Sequence, residues 1–253
     1  MLKKKSKYII ANWKMKLSHE HSLELAEELV DKYKVRNDLE IVICPSATSL
    51  AAVAEIIKDS PFKLGIQNVF YHEIGSYTGE ISPAVAKELG CEYAIIGHSE
   101  RRQLGETDDE VNRKVITVLK NNLTPIICVG ETFAEYQTKK TDVVIIDQVT
   151  KALQDIKVKS DQKIILAYEP VWVIGSGQAV DHNIVEHIVK IILYTTIELD
   201  PDLADKFEVI YGGSVDDKNV NDFIIGNLST GVIIGNKSLK VDSFNKILEN
   251  IKV

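Results

Sequence analysis

The stretch "IILAYEPVWVIGSG", residues 164–177, decides how the chain is read. It opens as a short apolar run with no polar alternation, the mark of a strand buried on both faces, as in a parallel sheet. The run ends on a carboxylate, Glu169, followed at once by proline, tryptophan and spaced glycines. A bland loop keeps its charges among polar neighbours and has no need of a large aromatic. The stretch reads as a base at the mouth of a strand, followed by a lid.

Working outward, runs of the same kind recur along the chain: "YIIAN" (8–12), "EIVIC" (40–44), "KLGIQ" (63–67), "YAIIG" (93–97), "PIICVG" (125–130), "IILAYE" (164–169), "EVIYGG" (208–213) and "GVIIG" (231–235). Helical patterns lie between them. "SPAVAKELG" offers Ser82 as N-cap, Pro83 in the first turn and Gly90 just past the end. "TDDEVNRKVITVLK" starts with Thr107 and Glu110 in capping-box spacing, and Asp181 opens a helix with apolar residues at helical intervals. Strand–helix pairs without a proline-rich linker predict one α/β domain over 1–253, a closed (β/α)8 barrel. A doubly wound open sheet is the alternative, but no G-x-G-x-x-G turn follows the first run.

The totals agree. The chain has 253 residues, and its 45% hydrophobic and 26% charged content suits a globular domain. No run of eighteen apolar residues suggests a membrane span, and the N-terminal apolar patch is too short for a signal-peptide core. Cys44, Cys91 and Cys128 are odd in number and set among apolar residues, as expected of reduced core thiols in a cytoplasmic protein. A net charge of −7 argues against a nucleic-acid surface. An anionic substrate must therefore be drawn in by local groups.

In such barrels the site lies at the C-terminal ends of the strands. The polar residues closing the runs are Asn12, Lys14, Gln67, Asn68, His98, Glu169 and the "GGS" of 212–214. The remaining histidines, His19, His21, His72, His182 and His187, fit no HExxH-type metal spacing and read as surface residues.

Several stretches together resemble the triosephosphate isomerase family: "ANWKMK" (11–16), "QN" (67–68), "YTGEISP" (77–83), "GHSERR" (97–102), "CVGET" (128–132), "AYEPVWVIGSG" (167–177) and "YGGSV" (211–215), in order from first strand to last. The resemblance implies a TIM barrel that interconverts dihydroxyacetone phosphate and D-glyceraldehyde 3-phosphate through an enediolate, with no cofactor and no metal. Such a reaction needs a base on carbon, an electrophile at the oxygens, a grip on phosphate and a way to exclude water.

By that resemblance Glu169 is the base and His98 the electrophile. This family is itself the reference case for a neutral imidazole polarising the carbonyl, and a helix N-terminus disfavours a cationic ring. Lys14 stabilises the substrate and enediolate charge, with Asn12 as its neutral companion. Glu100 is either a second carboxylate of the site or an ion-pair partner, and Arg101 and Arg102 read as scaffold. Phosphate needs closely approaching N–H groups, hence glycine. Gly213, Ser214, Gly235 and Asn236 supply two loops, and Gly175 completes the grip from the lid. Pro170 stiffens the first hinge, while Trp172 and Ile174 form an apolar cover. The connection 68–81 is long for a barrel. The resemblance implies that it builds a homodimer, with Thr78 reaching the neighbouring subunit's site.

Three places depart from the family pattern. Asn236 replaces a second glycine, and its tolerance of positive φ is the expected compensation. The second hinge reads "QAV" (178–180), and "RRQLGETDD" is one residue short between Arg102 and Gly105. Other readings are an isomerase of larger sugar phosphates, which needs more room, and an inactive barrel that only binds. The presence of Glu169 and His98 argues against the second.

Overall fold

The computed structural model describes residues 6–173, 180–226 and 228–252. The strands are β1 (Lys7–Asn12), β2 (Leu39–Cys44), β3 (Lys63–Ile66), β4 (Tyr93–Ile96), β5 (Thr124–Val129), β6 (Ile164–Tyr168), β7 (Phe207–Tyr211) and β8 (Gly231–Ile234). They pair in sequence order as a closed parallel barrel. β8 returns to β1, Tyr8 lying opposite Gly231 and Ala11 opposite Ile234. The expected barrel is the observed one, and each apolar run is a strand to within two residues at either end.

The missing polar alternation has a direct cause. Each strand has two apolar faces, one packed on the helices and one turned into the barrel. Ile9 and Ala11, Ile41 and Ile43, Leu166 and Tyr168 belong to the outer core. Ile10, Val42, Cys44, Ile95, Ile126, Cys128, Ile165, Ala167, Ile210 and Ile233 fill the interior. Each fully buried aliphatic side chain contributes roughly 1.5–3 kcal/mol. The interior is tight: a Cβ at Gly65 would lie 2.9 Å from Val42 Cγ1 and nearer still to Cys44 Sγ. All three cysteines are free and buried.

The same parity places the site. Ile165 and Ala167 face inward, so two residues on Glu169 faces the mouth of the barrel. Tyr8 and Ile10 do the same for Asn12.

Helix ends follow local chemistry. Ser82, Thr107 and Asp181 cap as expected, each side chain accepting a hydrogen bond from a first-turn N–H. Gly90 and Gly105 take positive φ just past helix ends, at +91° and +102°. In each case the following residue donates back into the helix, Cys91 to Ala86 O and Glu106 to Arg101 O. These are Schellman closures. Within "RRQLGETDD", the place of the expected local loop adjustment near the barrel rim, the chain makes a tight helix end at Gly105. The histidines expected at the surface, His19, His21, His72, His182 and His187, are all exposed.

Candidate active site

Gly97 ends β4 with φ +70°. A Cβ there would lie 3.0 Å from Val111 and 3.2 Å from both the Arg102 guanidinium and Cys128 O. This sharp exit makes His98 the N-cap of the short helix Ser99–Gln103. His98 Nδ1 accepts the backbone N–H of Glu100 at 3.1 Å. A ring nitrogen that accepts carries no proton, so the proton of the neutral imidazole sits on Nε2. Nε2 lies 3.3 Å from Glu169 Oε1.

Glu169 is buried, 2% exposed. Its Oε2 accepts the backbone N–H of Ser99 at 3.2 Å. Its side chain lies over Gly212, where a Cβ would come within 2.7 Å of Glu169 Cγ. The first glycine of "YGGSV" therefore makes room for the carboxylate. The sequence reading assigned that motif to phosphate alone and missed this.

Lys14 has φ +54°, unusual for a residue other than glycine. Two contacts hold it there: its N–H donates to Asn12 Oδ1 at 3.1 Å, and its carbonyl accepts from Gln67 Nε2 at 2.9 Å. Gln67 also donates to Cys44 O, tying three strand ends together. Lys14 Nζ meets Glu100 Oε1 at 2.7 Å. Glu100 both pairs with Lys14 and lines the cleft, so the two roles open to it coexist here. Burial pushes the Glu100 carboxyl up, but opposing influences, the Lys14 hydrogen bond and charge foremost, outweigh it and hold it below its ordinary value.

Gly213, Ser214, Gly235 and Asn236 line one cleft of about 290 Å³ together with Lys14, His98 and Glu169. Asn12, buried at the end of β1, does not itself line the cleft; its Oδ1 accepts the backbone N–H of Lys14. Gly175 lies outside the described residues, as do Ile174, Gly177, Gln178 and Ala179. Asn236 opens a single 3-10 turn, Asn236–Leu239, and is not among the positive-φ residues. The expected compensation through left-handed backbone is therefore not needed; its side-chain Oδ1 instead accepts from Lys16 Nζ at 2.6 Å.

Trp172 is expected either as part of the cover or as plain packing, and the lid it would act with, residues 174–179, lies outside the described residues. Trp172 does not line the cleft. It stacks on Tyr136 at 4.3 Å, and its Nε1 donates to Glu131 Oε1 at 2.8 Å. Tyr168 OH reaches both oxygens of Glu131 at 3.3 Å. Burial pushes the Glu131 carboxyl up, against these donors. Glu131 stands in "CVGET", yet nothing local marks it as the anchor of the lid's first hinge.

Arg102 is scaffold, donating to Gly97 O at 2.8 Å and pairing with Asp108 at 2.6 Å. Asn68 lies away from the cleft, accepting from Lys114, whose buried ion pair with Glu106 the sequence reading also missed. The connection 68–81 packs on itself: Phe70 stacks on Tyr71, His72 on Tyr77, and Arg113 sits 3.7 Å over the Tyr71 ring.

Comparison with known proteins agrees with this geometry. The family described as "Triosephosphate isomerase" matches residues 7–251. The triosephosphate isomerase of Dictyoglomus turgidum is 41% identical over 246 residues, covering 96% of this chain and 99% of its own. That of Natranaerobius thermophilus is 41% identical over 244 residues, covering 95% and 94%. That of Ligilactobacillus salivarius is 36% identical over 242 residues, covering 95% and 96%. With a buried carboxylate and a neutral imidazole facing each other at the barrel mouth, and a match running from β1 past β8, the chain belongs to the triosephosphate isomerase family.

Proposed function

We propose that this chain interconverts D-glyceraldehyde 3-phosphate and dihydroxyacetone phosphate, with Glu169 and His98 at the centre of the chemistry. The observation that carries the reading is the 3.3 Å approach of His98 Nε2 to Glu169 Oε1 in a cleft that also holds Lys14. The Glu169 carboxylate takes a proton from the carbon next to the substrate carbonyl, and the electron pair moves onto oxygen as an enediolate. His98 Nε2–H and the Lys14 ammonium stabilise that oxygen, with Asn12 beside them. His98 gives its Nε2 proton to that oxygen and takes the hydroxyl proton of the neighbouring oxygen, while Glu169 returns its proton to the former carbonyl carbon. One proton thus moves between carbons and one between oxygens, and no outside oxidant or reductant is needed. A positioned base contributes about 10²–10⁴-fold, and excluding water from a carboxylate strengthens it as a base.

Ser214, Gly235 and Asn236 grip the phosphate, joined by Gly175 when the lid closes. The test is isomerisation of D-glyceraldehyde 3-phosphate by wild type and Glu169→Gln. Rapid turnover that collapses in the variant supports the reading; a folded wild type with no turnover ends it.

We also infer a homodimer through the 68–81 loop, Thr78 reaching the partner's site. Met15 and Ile74, 91% and 90% exposed, supply apolar surface beside the cleft loop and in that connection. Sedimentation at micromolar concentration tests this: Ile74→Asp should convert a dimer to a monomer. A cytoplasmic location is inferred from the three free, buried thiols.

A further inference from the structure

Among the described residues, the charged side chains lining the cleft are Lys14, Lys16 and Lys237 against Glu100, Glu169 and Asp216. Their formal charges cancel, on a chain whose net charge is −7. A phosphate dianion entering this cleft therefore needs a cation that is not already neutralised. Lys14 is paired with Glu100 at 2.7 Å. Among the described residues neither Lys16 nor Lys237 has a carboxylate within ion-pair distance, and what sets Lys16 apart is that its Nζ is held, donating to the neutral side-chain oxygen of Asn236 at 2.6 Å. Its field reaches Glu100, but it ranks last among the influences on that carboxyl.

The bond to Asn236 crosses from the segment after β1 to the segment after β8, between residues 220 apart in sequence. It sets an ammonium beside the loop of Gly235 without spending its charge. We propose that Lys16, held by Asn236, is an auxiliary phosphate-binding cation of this cleft, and that the side chain of Asn236 positions it while its backbone stays with the phosphate loop. The proposal deepens the isomerase reading and rests on the phosphate end of the same site. A charge-assisted hydrogen bond to phosphate gains strength from both Coulomb attraction and geometry, and salt weakens it because Lys16 is exposed.

The experiment combines steady-state kinetics on D-glyceraldehyde 3-phosphate with calorimetric binding of inorganic phosphate, each at low and high ionic strength. Lys16→Met should raise both KM and the phosphate Kd by about five- to tenfold at low salt, with kcat changed less than about twofold. Lys16→Arg should restore both constants. Asn236→Ala should give a smaller rise, and adding it to Lys16→Met should give no further loss, the signature of two residues acting as one. Circular dichroism checks that each variant is folded. Phosphate affinity unchanged in Lys16→Met overturns the proposal, as does a wild type that binds no phosphate. A wild type that binds phosphate more tightly than Lys16→Met but turns over no substrate supports this proposal and sinks the isomerase reading instead.

Discussion

His98 Nε2 lies 3.3 Å from Glu169 Oε1, while the opposite nitrogen of the same ring accepts the Glu100 amide at 3.1 Å. The backbone of a five-residue helix thus sets which nitrogen of His98 carries the proton. The imidazole is presented to the cleft as a donor. Shortening Glu169 to aspartate withdraws the carboxylate by one methylene and breaks this approach. Glu169→Asp should lower kcat by about 10²-fold with KM little changed, since misplacing a reacting group by about 1 Å costs that much. Steady-state kinetics on the purified variant would show it.

Gly212 offers a second way to move the same carboxylate. A methyl there would stand 2.7 Å from Glu169 Cγ and 3.2 Å from Oε1. Only a side chain obstructs it, so the fold can yield where the base cannot stay. Gly212→Ala should cut kcat at least about tenfold while the melting temperature moves by a few degrees at most. A variant with wild-type kcat would show that Glu169 has slack at this contact.

Glu131 makes stability depend on pH. Burial holds its carboxyl above the ordinary value of 4.5. A carboxyl raised in the folded state binds its proton more tightly there than when unfolded, so its contribution favours folding at low pH. That contribution fades as pH rises from the ordinary carboxylate value through the raised one. In urea titrations across that window, the stability of wild type relative to Glu131→Gln should fall as pH rises. A difference that stays flat would remove Glu131 as its source.

The buried pair Glu106–Lys114, with side chains 1% and 4% exposed, is a case where breaking costs more than replacing. Lys114→Met alone strands Glu106 and should cost about 3–5 kcal/mol in denaturant unfolding. Glu106→Leu with Lys114→Met removes both charges and should recover most of that loss. If the double variant is no better than the single, Asn68, which accepts from Lys114 at 2.9 Å, carries the stability instead.

Much of this protein is legible in its sequence because the signals are local. Ser82, Thr107 and Asp181 cap helices with N–H groups two or three residues away. The apolar runs need no knowledge of their partners to be read as doubly buried strands. Glu169, His98 and Lys14 fall in one cleft because every strand of a parallel barrel ends on the same face.

What the sequence by itself determined, then, is the succession of elements and the set of polar residues at the strand ends. Tertiary structure alone decided what each of those residues touches. Gly212 reads as a phosphate-loop glycine until the Glu169 side chain is seen above it. Nothing near Trp172 in the sequence marks Glu131, 41 residues earlier, as the acceptor of its N–H. Asn236 reads as a backbone substitute until Lys16 reaches it from the segment after β1. Each of these contacts joins segments that meet only when β8 closes on β1 or neighbouring loops fold over the barrel mouth. No local pattern of residues encodes that geometry.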